Sequence, residues 1–146
     1  MEQYKEESLA ELKKNWKYSK RLDGTLEIIK YKGTATEVFI PSKIGRATVT
    51  HIATPGFSEY VFPPYVKKVF IPESIISIGE RVFFSIRETT QMIIPENVLF
   101  FYEDTFSVNY YPEIIKEKYQ KIGRKYYRKK GLLCNGGMIT VEIHTR

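Results

Sequence analysis

Few residues in this sequence have types and spacings that could support catalysis or metal binding. His51 and His144 are the only histidines, and Cys134 is the only cysteine. Neither histidine has a second ligand at a metal-binding spacing, and a lone cysteine preceded by two leucines is more often a small packed side chain than a nucleophile. No glycine-rich phosphate loop precedes a helix, and no base is placed to activate a serine. The sequence therefore predicts a protein that is not an enzyme and uses no cofactor or metal.

Basic residues and tyrosines are concentrated in residues 116–130, here called the basic segment. It holds eight Lys or Arg residues and one acid, Glu117, so its formal charge is +7 in a chain of net charge +6. Lysine and arginine neutralise phosphates and tyrosine rings stack on bases, which makes nucleic-acid binding one hypothesis. Its candidate residues are Lys118, Lys121, Arg124, Lys125, Tyr126, Tyr127, Arg128, Lys129 and Lys130. A charged, solvated cap whose lysines discourage edge pairing is the interpretation that we favour.

An internal repeat organises the middle of the chain. Three tetrads of the form apolar-apolar-Ile-Pro occur at residues 38–41, 69–72 and 92–95, and each is followed by an apolar residue five positions before a Phe. These second anchors are Ile52 and Phe57, Ile78 and Phe83, and Phe101 and Phe106. The second and third prolines are 23 residues apart, within the range of leucine-rich repeats. The first two are 31 apart, which we explain by five extra residues before Ile52 and three after Phe57.

Each copy is predicted to contain two short strands and a helical turn. The tetrad forms a strand that its proline ends, because proline has no N–H for a sheet ladder. A turn and a second strand, such as residues 75–78, come next, and a helical or 3₁₀ turn then buries the Phe. One copy cannot bury its own apolar face, so three copies must stack to make a continuous core.

The tetrad strands also predict an outward-facing surface. Side chains alternate across a strand, so if the first and third tetrad residues face the core, the second faces away from it. With the strands in register, Phe39, Phe70 and Ile93 form one row, here called the apolar ladder. Beside it runs the polar column, Glu37, Lys68 and Gln91. The ladder is either a surface for protein binding or self-association, or it is covered by the N-terminal helix or a loop.

The second copy resembles the BspA-type leucine-rich repeat. Residues 71–83 read Ile-Pro-Glu-Ser-Ile-Ile-Ser-Ile-Gly-Glu-Arg-Val-Phe, close to that family's consensus IP-x-S-V-x-S-IG-x-x-A-F, and the other two copies match more loosely. Residues 23–33 resemble the family's frequent opening DGT-x-x-I-x-x-Y-x-G, so the resemblance covers roughly residues 23–130. It implies a short leucine-rich-repeat solenoid with about three repeats, used as a binding scaffold.

The flanking segments are predicted to cap the repeats within a single α+β, β-rich domain, residues 1–146. Residues 1–33 would form the N-terminal cap, a helix over residues 2–14 followed by a hairpin around Asp23-Gly24. Residues 34–107 hold the three repeats. Residues 108–146 would form the C-terminal cap: a helix from Pro112 to about Ile122 with Gly123 as its C-cap, then strands at 124–128 and 138–144.

Composition and patterning complete the functional prediction. Residues 1–15 lack the apolar segment of a secretory signal, and no run of eighteen apolar residues occurs, so we expect a cytoplasmic protein without membrane contact. The predicted function is a non-enzymatic protein–protein binding module, either an adaptor or a small stoichiometric inhibitor. Its partner would be another protein, with a homo-oligomer through the apolar ladder as a further possibility. The alternative is a nucleic-acid-associated protein that uses the basic segment.

Overall fold

The computed structural model of the chain describes residues 7–86, 91–93, 97–102, 104–105, 119–122 and 126–129. Within these residues it has one helix, α1 (Leu9–Asn15), and eleven strands. The strands are β1 (Trp16–Lys20), β2 (Leu26–Tyr31), β3 (Glu37–Phe39), β4 (Lys43–Ile44), β5 (Ala47–Ile52), β6 (Lys68–Phe70), β7 (Ser77–Ile78), β8 (Gln91–Ile93), β9 (Phe100–Tyr102), β10 (Tyr119–Ile122) and β11 (Tyr126–Lys129). In this part of the chain no helix is long and apolar enough to cross a bilayer.

The three repeats contribute one strand each to two separate sheets. The tetrad strands β3, β6 and β8 form a three-stranded parallel sheet in which Val38 pairs with Val69 and Val69 with Met92. The second strands β5, β7 and β9 are also parallel, with Ile52 beside Ile78 and Ile78 beside Phe101. The predicted equivalence of the tetrads and of the first residues of the second anchors is therefore confirmed.

The larger sheet extends beyond the repeats on both sides, in the order β1-β2-β5-β7-β9-β11-β10, with β4 pairing with β5 off this path. Strands β1 and β2 form the antiparallel hairpin predicted around Asp23-Gly24. The Asp23 carboxylate accepts hydrogen bonds from the backbone N–H and hydroxyl of Thr25, and Gly24 takes a φ of 90° that favours glycine. Strand β2 then runs parallel to β5, which places the hairpin beside the first repeat.

The core lies between the inward faces of the two sheets and the turns that connect them. The first and third tetrad residues are buried where the structure describes their side chains, which confirms the predicted alternation; they are Val38, Ile40, Val69 and Ile71. The larger sheet contributes Ile28, Val49, Ile52, Ile78 and Phe101 to the same cluster. Burial of such side chains is the main driving force for stacking the repeats.

The prediction that Phe57 is the buried aromatic anchor of the first repeat is wrong. Phe57 is 94% exposed, whereas Phe62 is completely buried and stacks on Phe83 with ring centroids 5.7 Å apart and planes at 8°. Val61 and Val82, which precede the two stacked rings, are both fully buried as well. A second insert of five residues, 56–60, therefore lies between Ile52 and the aromatic anchor, in place of the three extra residues predicted after Phe57. It includes a turn in which the Glu59 N–H donates to the Gly56 carbonyl. Phe57 lies as far from Ile52 as Phe83 lies from Ile78 only because the insert happens to contain a phenylalanine at that position.

The C-terminal helix predicted to reach Ile122 is also wrong over its last four residues. Residues 119–122 form β10, which pairs antiparallel with β11, and β11 pairs antiparallel with β9. A three-residue connection that contains Gly123, between two tyrosine-bearing segments, is a hairpin signal that outweighs the helical pattern. The predicted strand at 124–128 is confirmed in part by β11. Residues 106–118, 123–125 and 130–146 lie outside the described residues, and with them Phe106, Cys134 and His144.

The N-terminal helix begins at Leu9, and residues 2–6 of the predicted helix lie outside the described part of the chain. Ser8 and Glu11 explain this start, because they form a reciprocal capping box. The Glu11 backbone N–H donates to Ser8 Oγ at 3.2 Å, and the Ser8 N–H donates to the Glu11 carboxylate at 3.1 Å. The helix packs along β1 and β4.

Candidate protein-binding face

The apolar ladder is brought together by the register of the three-stranded sheet. Phe39 lies opposite Phe70, and Phe70 lies opposite Ile93. The Phe39 and Phe70 rings stack with centroids 4.3 Å apart and planes at 9°, and both side chains are half-buried. Parallel in-register strands produce this arrangement directly, because equivalent positions of successive repeats stand one strand spacing apart.

The polar column lies on the same side of the sheet as the apolar ladder. Glu37 pairs with Lys68, and Lys68 pairs with Gln91, each two positions before a ladder residue on the same strand. The Lys68 ammonium is 5.7 Å from the centroid of the Phe70 ring, a distance at which a cation is attracted to the aromatic face. Glu37 is exposed. The face thus combines flat aromatic surface with charged groups of both signs.

A cleft of about 350 Å³ lies at the ends of the tetrad strands, next to the apolar ladder. Its walls come from both phenylalanines of the ladder and from the residues that end β3 and β6. The lining residues are Phe39, Ile40, Ser42, Phe70, Ile71 and Pro72. The ladder is therefore continuous with a concave apolar surface.

Strands β10 and β11 contain part of the basic segment and pair with each other. Lys121 lies opposite Tyr127, and Tyr119 lies opposite Lys129. Lys118, Arg124, Lys125 and Lys130 lie outside the described residues.

The fold places polar residues on both sides of His51 that the sequence did not predict as its neighbours. It lies between Glu27 and Ser77 on adjacent parallel strands, and both Glu27 and His51 are buried. The Nδ1 atom of His51 is 2.8 Å from the hydroxyl of Thr50. No group of three or more potential metal ligands occurs among the residues of known placement.

Comparison with known proteins adds a structural relative. No protein-family model matches the sequence, and no curated protein matches it. The chain is similar to the crystal structure of a leucine-rich repeat protein from T. pallidum (TpLRR), with a TM-score of 0.51 and 25% sequence identity. The match covers 59% of this chain and 39% of that chain. The protein therefore has a leucine-rich-repeat-like, strand-rich α+β fold, a type that generally serves as a scaffold for interactions with other proteins.

Proposed function

We propose that this chain is a non-enzymatic protein–protein binding module, an adaptor or a small stoichiometric inhibitor, built on a short BspA-type leucine-rich-repeat solenoid. Its binding surface is the apolar ladder together with the polar column. The observation that carries the proposal is the stacked pair Phe39–Phe70 on the side of the tetrad sheet opposite the core. Aromatic side chains clustered at the centre of a patch and flanked by charged groups are typical of the residues that dominate binding energy at interfaces.

The composition of the surface supports a protein as the partner. Complete burial of a phenylalanine side chain contributes about 1.5–3 kcal/mol, and part of this remains to be gained at Phe39 and Phe70, which are only half-buried. The polar column adds a negative and a positive side chain beside the ladder. Such charges select and orient a partner more than they strengthen its binding.

The direct test is the double substitution Phe39→Ser and Phe70→Ser, compared with Phe57→Ser and Phe84→Ser. The control pair also removes two phenylalanine rings, but from positions that are 94% and 50% exposed and lie outside the ladder. Proteins captured from source-cell lysate after nuclease treatment would be quantified against the wild-type chain. We expect the ladder variant to lose a partner that the control variant keeps, with the melting temperature of each variant measured in parallel.

Lys68→Glu is a second variant that leaves the apolar side chains in place. It reverses the charge at the centre of the polar column and should weaken the same interaction, because like charges across an interface are strongly unfavourable. A ladder variant that unfolds would mean that the ladder is covered within the chain. A folded ladder variant and a Lys68→Glu variant that both retain every partner would contradict the proposal.

The second candidate function is nucleic-acid binding through the basic segment. The antiparallel pairing of β10 with β11 supports it, because both strands belong to this +7 segment. If about four basic residues contact phosphates, log K should fall against log salt with a slope of about −3. Replacing Arg124, Lys125, Arg128 and Lys129 by Ser should remove most of that slope without changing the melting temperature. Absence of binding to single or double strands at low salt would exclude this function.

A further inference from the structure

The five-residue insert of the first repeat presents an exposed aromatic side chain. Residues 56–60, here called the insert turn, are all exposed, and the Phe57 side chain is 94% exposed. The Glu59 N–H donates to the Gly56 carbonyl at 3.0 Å, so Phe57 and Ser58 are the two central residues of a β-turn. Ser58 takes a φ of 67°, in the region that favours glycine. The turn therefore holds the Phe57 ring in solvent at some cost in backbone strain.

Both ends of the insert turn are anchored. Pro55, which precedes it, is buried, and its carbonyl accepts a hydrogen bond from Nη2 of Arg81 at 3.2 Å. Val61 and Phe62, which follow it, are completely buried. Because the turn is short and fixed at its two ends, little conformational entropy is lost when Phe57 binds another surface. An aromatic ring presented in this way suits a cavity on a second molecule.

The cleft of about 350 Å³ beside the apolar ladder offers a cavity of suitable size. Its volume is near the lower end of the range for ligand pockets, about 300–1,000 Å³, so it suits one aromatic side chain better than a larger ligand. Four of its lining residues retain exposed surface that a ring can contact: Phe39, Ser42, Phe70 and Pro72. A phenyl ring in the cleft would lie against the stacked rings of the ladder, and aromatic rings attract one another in such arrangements.

The charges beside the insert turn and beside the cleft are complementary. Glu59 belongs to the turn and Lys43 adjoins the cleft; both are exposed, and neither has an ion pair within the described part of the chain. A second pair of opposite sign is present at the same two places. The Lys30 ammonium is 5.5 Å from the ring centroid of Tyr60 in the turn, and Glu73 is exposed beside the cleft. Opposite charges at these positions would orient the two surfaces when they meet.

We propose that the insert turn of one copy of this chain places Phe57 in the cleft of a second copy, with Glu59 directed towards Lys43. The cleft follows the ends of β3 and β6, whereas Phe57 lies on the return path from β5 to β6, so the two are on opposite sides of the repeat. Such a contact is heterologous, and it repeats from copy to copy instead of closing a two-fold dimer.

This self-association does not rest on the proposed function, although the two share part of one surface. Both phenylalanines of the apolar ladder line the cleft, so a second copy seated there competes with a protein partner for the ladder. Loss of Phe57 should therefore not reduce capture of the partner.

Sedimentation velocity of the full chain between about 10 µM and 1 mM tests the proposal, because interfaces this small associate weakly. We expect species larger than a dimer at the highest concentration. Phe57→Ala should weaken association at least about ten-fold, since it removes the burial of one aromatic side chain. Phe84→Ala is the matched control, because Phe84 is a half-exposed phenylalanine outside the insert turn and the cleft, and it should associate as the wild-type chain does. A Phe57→Ala variant that associates as strongly as the wild-type chain would overturn the inference.

A mixing experiment identifies the two surfaces that meet. Ser42→Glu keeps Phe57 but puts at the cleft a carboxylate that an incoming ring would have to desolvate. Phe57→Ala keeps the cleft but lacks the ring. Each variant alone should be monomeric where the wild-type chain assembles, whereas their mixture should form pairs with one copy of each and nothing larger. A mixture that stays monomeric would contradict the proposal.

Charge exchange tests the orientation of the contact. Lys43→Glu and Glu59→Lys should each weaken association about two- to five-fold, the range for one exposed ion pair, and the double variant should recover it because the exchanged charges again attract. No recovery would refute the pairing of Glu59 with Lys43. A wild-type chain that stays monomeric while the ladder variant Phe39→Ser and Phe70→Ser loses its partner would refute this inference and leave the proposed function standing.

Discussion

The two aromatic residues at the first-repeat insert, Phe57 and Phe62, should respond oppositely to truncation. Phe62 is completely buried, stacks on Phe83 at 5.7 Å and contacts Trp16 edge-on, whereas Phe57 is 94% exposed. Phe62→Ala removes a core ring and both ring contacts, and we expect it to lower the free energy of unfolding by about 3–5 kcal/mol. Phe57→Ala should change it by less than about 0.5 kcal/mol, as is usual for exposed positions.

Urea denaturation followed by Trp16 fluorescence measures both changes, since Trp16 is buried and contacts Phe62. For a chain of this length, about 4 kcal/mol corresponds to a fall of roughly 12 °C in melting temperature. The comparison also distinguishes two registers of the first repeat. If Phe57→Ala were the more destabilising substitution, Phe57 would be the core residue and the assignment of residues 56–60 as the insert would be refuted.

Three further substitutions test other parts of the structure. Gly79→Ala should cost about 1–3 kcal/mol in urea denaturation, because a Cβ there would lie 2.5 Å from the backbone nitrogen of Thr54; an unchanged stability would mean that the two repeats are not this close. The pKa of Tyr31 is raised in the folded state, so the folded protein keeps the phenol proton to a higher pH than the unfolded chain does. The free energy of unfolding that this contributes is therefore complete below the usual pKa near 10 and is lost as pH rises through the raised value. Tyr31→Phe should therefore flatten the fall of stability above about pH 10, and an unaltered pH profile would contradict this. Ser8→Ala should lower stability by about 1 kcal/mol through loss of the capping box, measured in the same assay, and no loss would show that α1 does not depend on its cap.

The strands were predictable where a local rule defined them. Pro41 and Pro72 follow the ends of β3 and β6, and Asp23-Gly24 defined the hairpin. These features depend on the backbone of the residues themselves. The choice between Phe57 and Phe62 depends instead on which ring reaches Phe83 across 21 residues of sequence, which no spacing within one repeat reveals. The end of the predicted C-terminal helix was wrong for a related reason, since β10 is stabilised by pairing with β11 rather than by its own propensity.

The candidate surfaces also differ in how far the sequence alone could predict them. Alternation within the tetrads and equivalence between repeats were enough to predict that Phe39, Phe70 and Ile93 align, because a parallel sheet repeats one position per strand. The cleft where β3 meets the β1–β2 hairpin was not predicted. It joins Glu7, Trp16, Tyr31 and Glu37 from the helix start, the hairpin and β3, and their positions in the sequence share no period that would associate them. Its only sequence signal is that Trp16 and Tyr31 face each other across the hairpin.

Hydrogen–deuterium exchange of the chain, alone and with its captured protein partner, tests most directly whether the apolar ladder is the binding surface. The partner should slow exchange in peptides that contain residues 37–39, 68–70 and 91–93, with the two outer strands responding together with the central one. Protection confined to residues 119–129, with the tetrad strands unchanged, would contradict the account and assign binding to the basic segment.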